Sequence, residues 1–489
     1  MIRNSFGERG ALLVVILVFG AALFTMLVGY TNYAVNQFRL QQYQVDREQA
    51  REIAEAGINY YKWYLAHNPD DVMHGTGVPG PYVIPYEDPE LGAIGEFSLD
   101  ITSTEYCGSI SSIEITSVGS TYSNPSNQRT VYARYARPTV AEYAYIINSN
   151  VWAGSDRTII GPYHSNGGVR MDGTNNSTVT SGQSTWNCTS TFGCIPSQSN
   201  ADGVIGSGPN DDLWTFPSTP INFTGLTVDL VAMKDRAENQ GGVYIPPSSG
   251  YGYRMIFEAD GDIEVREVDD TYSYDAYNSA DGWHTERNII DDDSFYASYT
   301  LDPNCPLIFV EDNVWLEGEV PMRVSLAAAD VASASVDPTL VLNDNLTYTS
   351  SSSGLLAIAE EDVLIGVDVP EDMTVEGIFV AQNGRFGRNH YERSGLPQTC
   401  ARMGWSFWYG WSCIEWFEPF RYDVFKDSLT INGTIVSNGR VGTQWVNGGV
   451  QTSGFSNRYN TYDRELVANP PPLAPNTSDD YQFIEWREE

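Results

Sequence analysis

The side chains of this 489-residue sequence with the types to do chemistry are its acidic clusters, its cysteines and one dense group of tryptophans. Asp260 with Asp262, Asp269 with Asp270, and Asp291 to Asp293 bring carboxylates close together, and such oxygen ligands suit Ca²⁺. None of these groups matches an EF-hand loop or a glycine-rich calcium nonapeptide. Solvation of a turn-rich surface is therefore the expectation, with Ca²⁺ as the alternative. Paired carboxylates also cleave glycosides when they face one cleft at roughly 5–10 Å, a separation that sequence does not fix. The chain has no G-x-S-x-G, phosphate-binding loop or H-E-x-x-H, so serine-hydrolase, nucleotide-hydrolase and zinc-peptidase chemistry have no carrier. The expectation is a protein that is not an enzyme.

Six cysteines and five histidines are present, with no C-x-x-C pair and no grouped histidines, which argues against a zinc site. An even number of cysteines in an exported chain points instead to disulfides. Cys188 with Cys194 and Cys400 with Cys413 close short loops, and Cys107 with Cys305 is the pairing left by elimination. Trp405, Trp408, Trp411 and Trp416 fall within twelve residues. Flat aromatic faces suit a sugar ring or a protein partner, which makes these four a candidate binding patch. So large an apolar patch is sticky when exposed, and the favoured expectation is that the segment packs a small core of its own.

The formal net charge of −36 opposes approach to phosphate, so nucleic acid is excluded as a partner. It leaves divalent cations, basic surfaces and uncharged polymers such as glycans, and it keeps an exposed protein soluble.

The elements that carry these residues begin with a helix. Residues 11–30 are apolar and uncharged, enough to span about 30 Å as a helix and cross a bilayer. Arg3 and Arg9 precede the run, which predicts a single-pass topology with a cytoplasmic N-terminus and the bulk outside. No proline occurs before Pro69, so the helix is expected to continue over 11–67. Ala50, Ala54, Gly57 and Tyr61 recur at i+3/i+4 and form a narrow stripe suited to close packing against a sheet. Strand patterns at 95–104, 111–120 and 128–136 predict a small antiparallel head over 68–137.

Residues 138–489 carry a recurring form, a glycine followed a few residues later by Asn-Gly: Gly161 with Asn166-Gly167, Gly377 with Asn383-Gly384, and Gly433 with Asn438-Gly439. Short strands between such corners suit a right-handed parallel β-helix. Residues 233–304 read as an insertion and 470–489 as a C-terminal tail. The fold class expected is α+β, mainly β: long N-terminal helix, small antiparallel sheet, then solenoid.

The junction Arg9-Gly10-Ala11-Leu12-Leu13-Val14-Val15 resembles the class III signal of type IV pilins, which a prepilin peptidase cuts after the glycine. Ala54-Glu55-Ala56-Gly57 resembles the corresponding helix segment of PilX-type minor pilins. The Asn-Gly corners resemble extracellular β-helix regions that follow such N-termini in bacterial surface proteins. The resemblance implies a leader over 1–10 removed between Gly10 and Ala11, and a helix that packs with other pilins or pseudopilins. It also implies a role in tip adhesion or filament assembly at a glycan or cell surface. Val15 stands where most pilins have a glutamate, which implies a minor subunit. Two alternatives stay open: an anchored surface protein that does not polymerise, and a tethered β-helix enzyme acting on polysaccharide.

Overall fold

In a computed structural model of the chain, the described residues are 7–68, 71–226, 229–331, 337–392, 400–406, 410–416, 423–478 and 480–488. They form two compact units. The first takes in 1–103, 113–135 and 485–489, the second 104–112 and 136–484.

The first unit is built on α1 (Gly7–His67), an unbroken helix of 61 residues, about 90 Å long at the usual rise. It ends where Asn68 donates its N–H to the Tyr64 carbonyl and the Asp71 carboxylate accepts from the N–H groups of Met73 and Gly75. That Asp-centred turn satisfies donors that would otherwise be orphaned beyond the helix. Four strands follow: β1 (Tyr82–Asp88), β2 (Gly92–Tyr106), β3 (Ser109–Thr121) and β4 (Arg129–Ala136). They lie side by side in chain order, and Gln482–Glu488 adds a fifth strand beside β4. β3 and β4 run antiparallel in unbroken register from Ile113 opposite Tyr135 to Gly119 opposite Arg129. Alternation along them buries Ile113, Ile115, Val131, Ala133 and Tyr135 on one face.

The second unit holds a large, mainly parallel sheet. One ladder of parallel neighbours runs Val243–Ile245, Leu307–Val310, Arg323–Ala328, Gly354–Ala359, Asp372–Ala381 and Phe425–Ser437. It continues through Tyr145–Ile147, Tyr163–Ser165 and Val179–Ser181. The order is not that of the chain, because the early strand Tyr145–Ile147 stacks after 425–437. A second ladder joins Tyr253–Phe257, Val314–Val320, Leu340–Tyr348 and Val363–Ile365. Within the ladders Val, Ile, Leu and Phe side chains stack into one apolar cluster, as expected when parallel strands are buried on a face.

Asparagines after several of these strands are joined in a row by hydrogen bonds. Asn166 donates through Nδ2 to Asn148 at 2.8 Å, Asn148 to Asn438 at 2.8 Å, and Asn438 to the Asn383 carbonyl at 2.9 Å. Three of the four sit before the glycines singled out in the sequence. Gly377 and Gly433 are register partners with φ of 153° and 139°. A Cβ on Gly433 would run into the Gly377 carbonyl oxygen, so glycine is required there. Within 233–304, Val243–Ile245 and Tyr253–Phe257 belong to the parallel ladders, and it is Asp262–Asn278 and Gly282–Thr300 that depart as a long antiparallel hairpin.

Candidate functional site

The N-terminal helix has two different halves. From Leu12 to Val45 its apolar side chains, including Phe24, Met26 and Phe38, are exposed on every side. By length and composition this helix is able to cross a membrane. Gly10 and Ala11 lie within α1, and their side chains are outside the described ones. Val15 is exposed with its neighbours.

From Asp46 onward one face is buried: Asp46, Ala50, Ile53, Ala54, Gly57, Ile58, Tyr61 and Leu65. The closeness of this seam follows from missing side chains. A Cβ on Gly57 would strike the Ser117 hydroxyl and the Phe97 ring, and one on Gly119 would strike the backbone of Ala50 and Ala54. The Tyr61 hydroxyl donates to the Val72 carbonyl at 2.7 Å. At the other end Asp46 accepts from Ser123 at 3.1 Å and from Asn124 at 3.4 Å, while Asn127 donates to the Tyr43 carbonyl at 3.2 Å. This clasp ties the helix to the turn between β3 and β4. The sequence stripe named helix residues alone; on the sheet side lie Gly119 and also Gly95, where a Cβ would strike Ile53 and the Ser120 carbonyl, and their only signal in sequence is glycine within a strand pattern.

The tryptophan-rich segment is a hairpin of Cys400–Ser406 and Gly410–Trp416, which forms a two-stranded sheet of its own among the described residues. Trp405 lies opposite Trp411, and Met403 opposite Cys413. Trp405 is 64% exposed, Trp411 71% and Met403 55%. These side chains are displayed to solvent rather than gathered into a core. Trp408 lies outside the described residues, as do the side chains of Trp416 and Cys400. Cys413 is disulfide-bonded. Elsewhere Cys188 is joined to Cys194 and Cys107 to Cys305.

The acid-rich hairpin of 262–300 is organised differently. Asp293 takes ion pairs from Arg254 at 3.1 Å and Arg266 at 2.6 Å, and Arg254 also pairs with the buried Glu317. Burial pushes the Asp293 carboxyl up, but the two guanidinium groups outweigh it and hold the group below the usual carboxylate range. Asp262 accepts from the Thr300 hydroxyl at 2.6 Å, and Asp270 from the Thr271 N–H at 2.8 Å. Near the hairpin tip, Glu286 is buried and accepts from Asn389 at 2.9 Å, and burial raises its carboxyl. Neighbouring Arg388 is fully buried, donates to the Gly366 and Val367 carbonyls, and rests on the Tyr391 and Phe455 rings. Burial lowers its guanidinium. Among the described residues no three His, Cys, Asp or Glu side chains are grouped to hold a metal ion. Asp293, Asp262 and Asp270 of this hairpin are thus engaged by arginines, a hydroxyl and a backbone donor, while Asp269 and Asp292 are exposed.

No protein-family model matches the chain, and no curated protein matches it. Among solved structures, the chain is similar to the competence-associated pilin ComZ from Thermus thermophilus, with 13% sequence identity over 91% of this chain and 97% of that chain. The TM-score is 0.31, a level at which the likeness carries no argument about fold or function.

Proposed function

We propose that this chain is a pilin-type, membrane-anchored extracytoplasmic protein of the PilX-like minor class, cut between Gly10 and Ala11. In this reading the N-terminus faces the cytoplasm, the apolar half of α1 is held in the membrane or packs with other pilins or pseudopilins, and the large unit is a β-helix carried at a filament tip. Its role is adhesion to a glycan or cell surface or assembly of the filament, without nucleic acid, enzyme chemistry or a resident cofactor.

The observation that carries the reading is the contrast within one unbroken helix. Its first half is apolar and exposed on all sides, a surface that water does not tolerate and that a bilayer or neighbouring helices satisfy. Its second half seats through Ala50, Ala54, Gly57 and Tyr61 on an antiparallel sheet. The β-helix reading is supported by the parallel ladders and the asparagine stack. The adhesive reading is supported by the exposed Trp405 and Trp411. Weight on the anchored, non-polymerising alternative comes from Val15, because no carboxylate at that position is present to pair with a neighbour's freed amino group.

Fractionation tests the two. A tagged chain produced in a piliated host is expected to appear in sheared filament preparations at low abundance. Retention of all of it in the membrane pellet sinks the filament reading and leaves the anchored one.

A further inference from the structure

The second unit contains a cleft of about 420 Å³, apart from both the acidic and the tryptophan-rich hairpins. That volume lies in the range of small-molecule sites, roughly 300–1,000 Å³. The turn between β2 and β3 forms one wall, with Tyr106 and Ser109, and the helix Leu230–Asn239 and the residue before it form another, with Asp229 and Arg236. The C-terminal segment closes the cleft with Pro470, Leu473, Asn476 and Tyr481, and Arg137 and Thr139 complete it.

We propose that this cleft binds a small monoanionic ligand that also bears hydroxyl groups, the chemistry of a uronic acid. Charge is the first reason. The chain has 63 acidic and 27 basic residues, yet this cleft is lined by two arginines and one aspartate. A guanidinium presents paired N–H donors that match a carboxylate. Arg137 lies 4.9 Å from the centre of the Tyr481 ring, which holds its planar group at the cleft. Asp229 spends an oxygen on the Ala232 N–H at 2.9 Å, and its charge disfavours a dianion such as phosphate.

The remaining lining is the second reason. Ser109, Thr139 and Asn476 offer hydroxyl and amide partners for ligand hydroxyls, while Tyr106 and Tyr481 offer flat faces for a sugar ring. The walls are also fixed before any ligand arrives. Cys107 is joined to Cys305 and donates its N–H to the Asn304 carbonyl at 2.9 Å, which tethers the turn. Val140 donates to the Pro475 carbonyl at 3.0 Å and Thr477 to the Pro138 carbonyl at 2.9 Å, which tethers the C-terminal segment. Pre-formed walls spare a ligand the entropy of ordering them. The proposal rests on the cleft alone and stands or falls separately from the pilin reading.

The test is isothermal titration of the full chain in detergent with sodium glucuronate, glucose and inorganic phosphate as separate probes. Saturable, one-site binding of glucuronate is expected, with glucose and phosphate weaker by about tenfold or more. Arg236→Gln is expected to weaken glucuronate binding by about tenfold with an unchanged melt, and Arg137→Gln serves the same purpose if the first variant fails to fold. No heat with glucuronate at millimolar concentration overturns the proposal, as does equal binding of glucose, or full affinity in a folded arginine variant.

Discussion

Two of the hairpins in the second unit, 262–300 and 400–416, are opposites. The hairpin of 262–300 looks reactive in sequence because of its acids, yet Asp293, Asp262 and Glu286 are answered by Arg254, Arg266, Thr300 and Asn389. It also pairs with strand neighbours, Ala276 with Tyr391 and Tyr277 with His390, and Trp315 donates to its Asn288 carbonyl at 2.8 Å. The hairpin of 400–416 looks like core material because of its tryptophans, yet Trp405 and Trp411 face solvent. The difference teaches that composition names the chemistry available and partners decide whether it is spent. A charge matched inside the fold is structure, whereas an aromatic side chain is core or surface according to what packs on it.

The comparison breaks most visibly at Arg254. Arg254→Met leaves Glu317 buried without its guanidinium partner and strips one of two from Asp293. The expected loss is about 3 kcal/mol in urea denaturation of the full chain, at the low end for a broken buried pair because Arg254 is partly exposed. A loss near zero means that the acid hairpin is held by packing alone. Acid gives a smaller effect of defined sign. The Asp293 carboxyl is depressed in the folded state, so its contribution is present above the unfolded value of about 3.9 and is lost as pH falls below that through the folded value. Melting of the native chain is expected to fall more steeply below that pH than melting of Asp293→Asn; parallel curves contradict the clamp.

The tryptophan hairpin is expected to give the reverse pattern. Trp411→Ala removes one side of an exposed cross-strand pair, so stability changes by no more than about 1 kcal/mol, while binding to a glycan-coated or cell surface drops several-fold. A large loss of stability would return Trp411 to a structural role. The smallest effect concerns calcium. Since no three ligand-type side chains are grouped among the described residues, melts in Ca²⁺ and in chelator are expected to coincide, and a Ca²⁺-dependent rise would show a site outside the pairs described.

Much of the fold was legible where one local pattern decides the element. Residues 11–30 contain no charge and nothing before Pro69 breaks a helix, and α1 spans Gly7–His67. The alternation at 128–136 emerges as β4 at Arg129–Ala136. The last strand was not legible: 482–488 read as tail because prolines precede it, and its place beside β4 depends on a partner more than three hundred residues away in sequence. The long acid hairpin was obscured because its register shifts at Val265, Val268, Asp270 and Tyr272, and each shift resets the two-residue alternation. The tryptophan segment was legible as aromatic but not as exposed, since exposure is set by what packs on it and not by its own residues. The cleft left no trace in sequence because its arginines, Arg137 and Arg236, come together only in three dimensions.

The central claim is that α1 is a processed pilin-type rod, and the most direct measurement is the intact mass of the protein extracted from the envelope of a host that has a prepilin peptidase. The account predicts a chain that begins at Ala11, with residues 1–10 gone and Gly10→Val retaining them. A full-length chain still carrying Met1 to Gly10 in that host would contradict it.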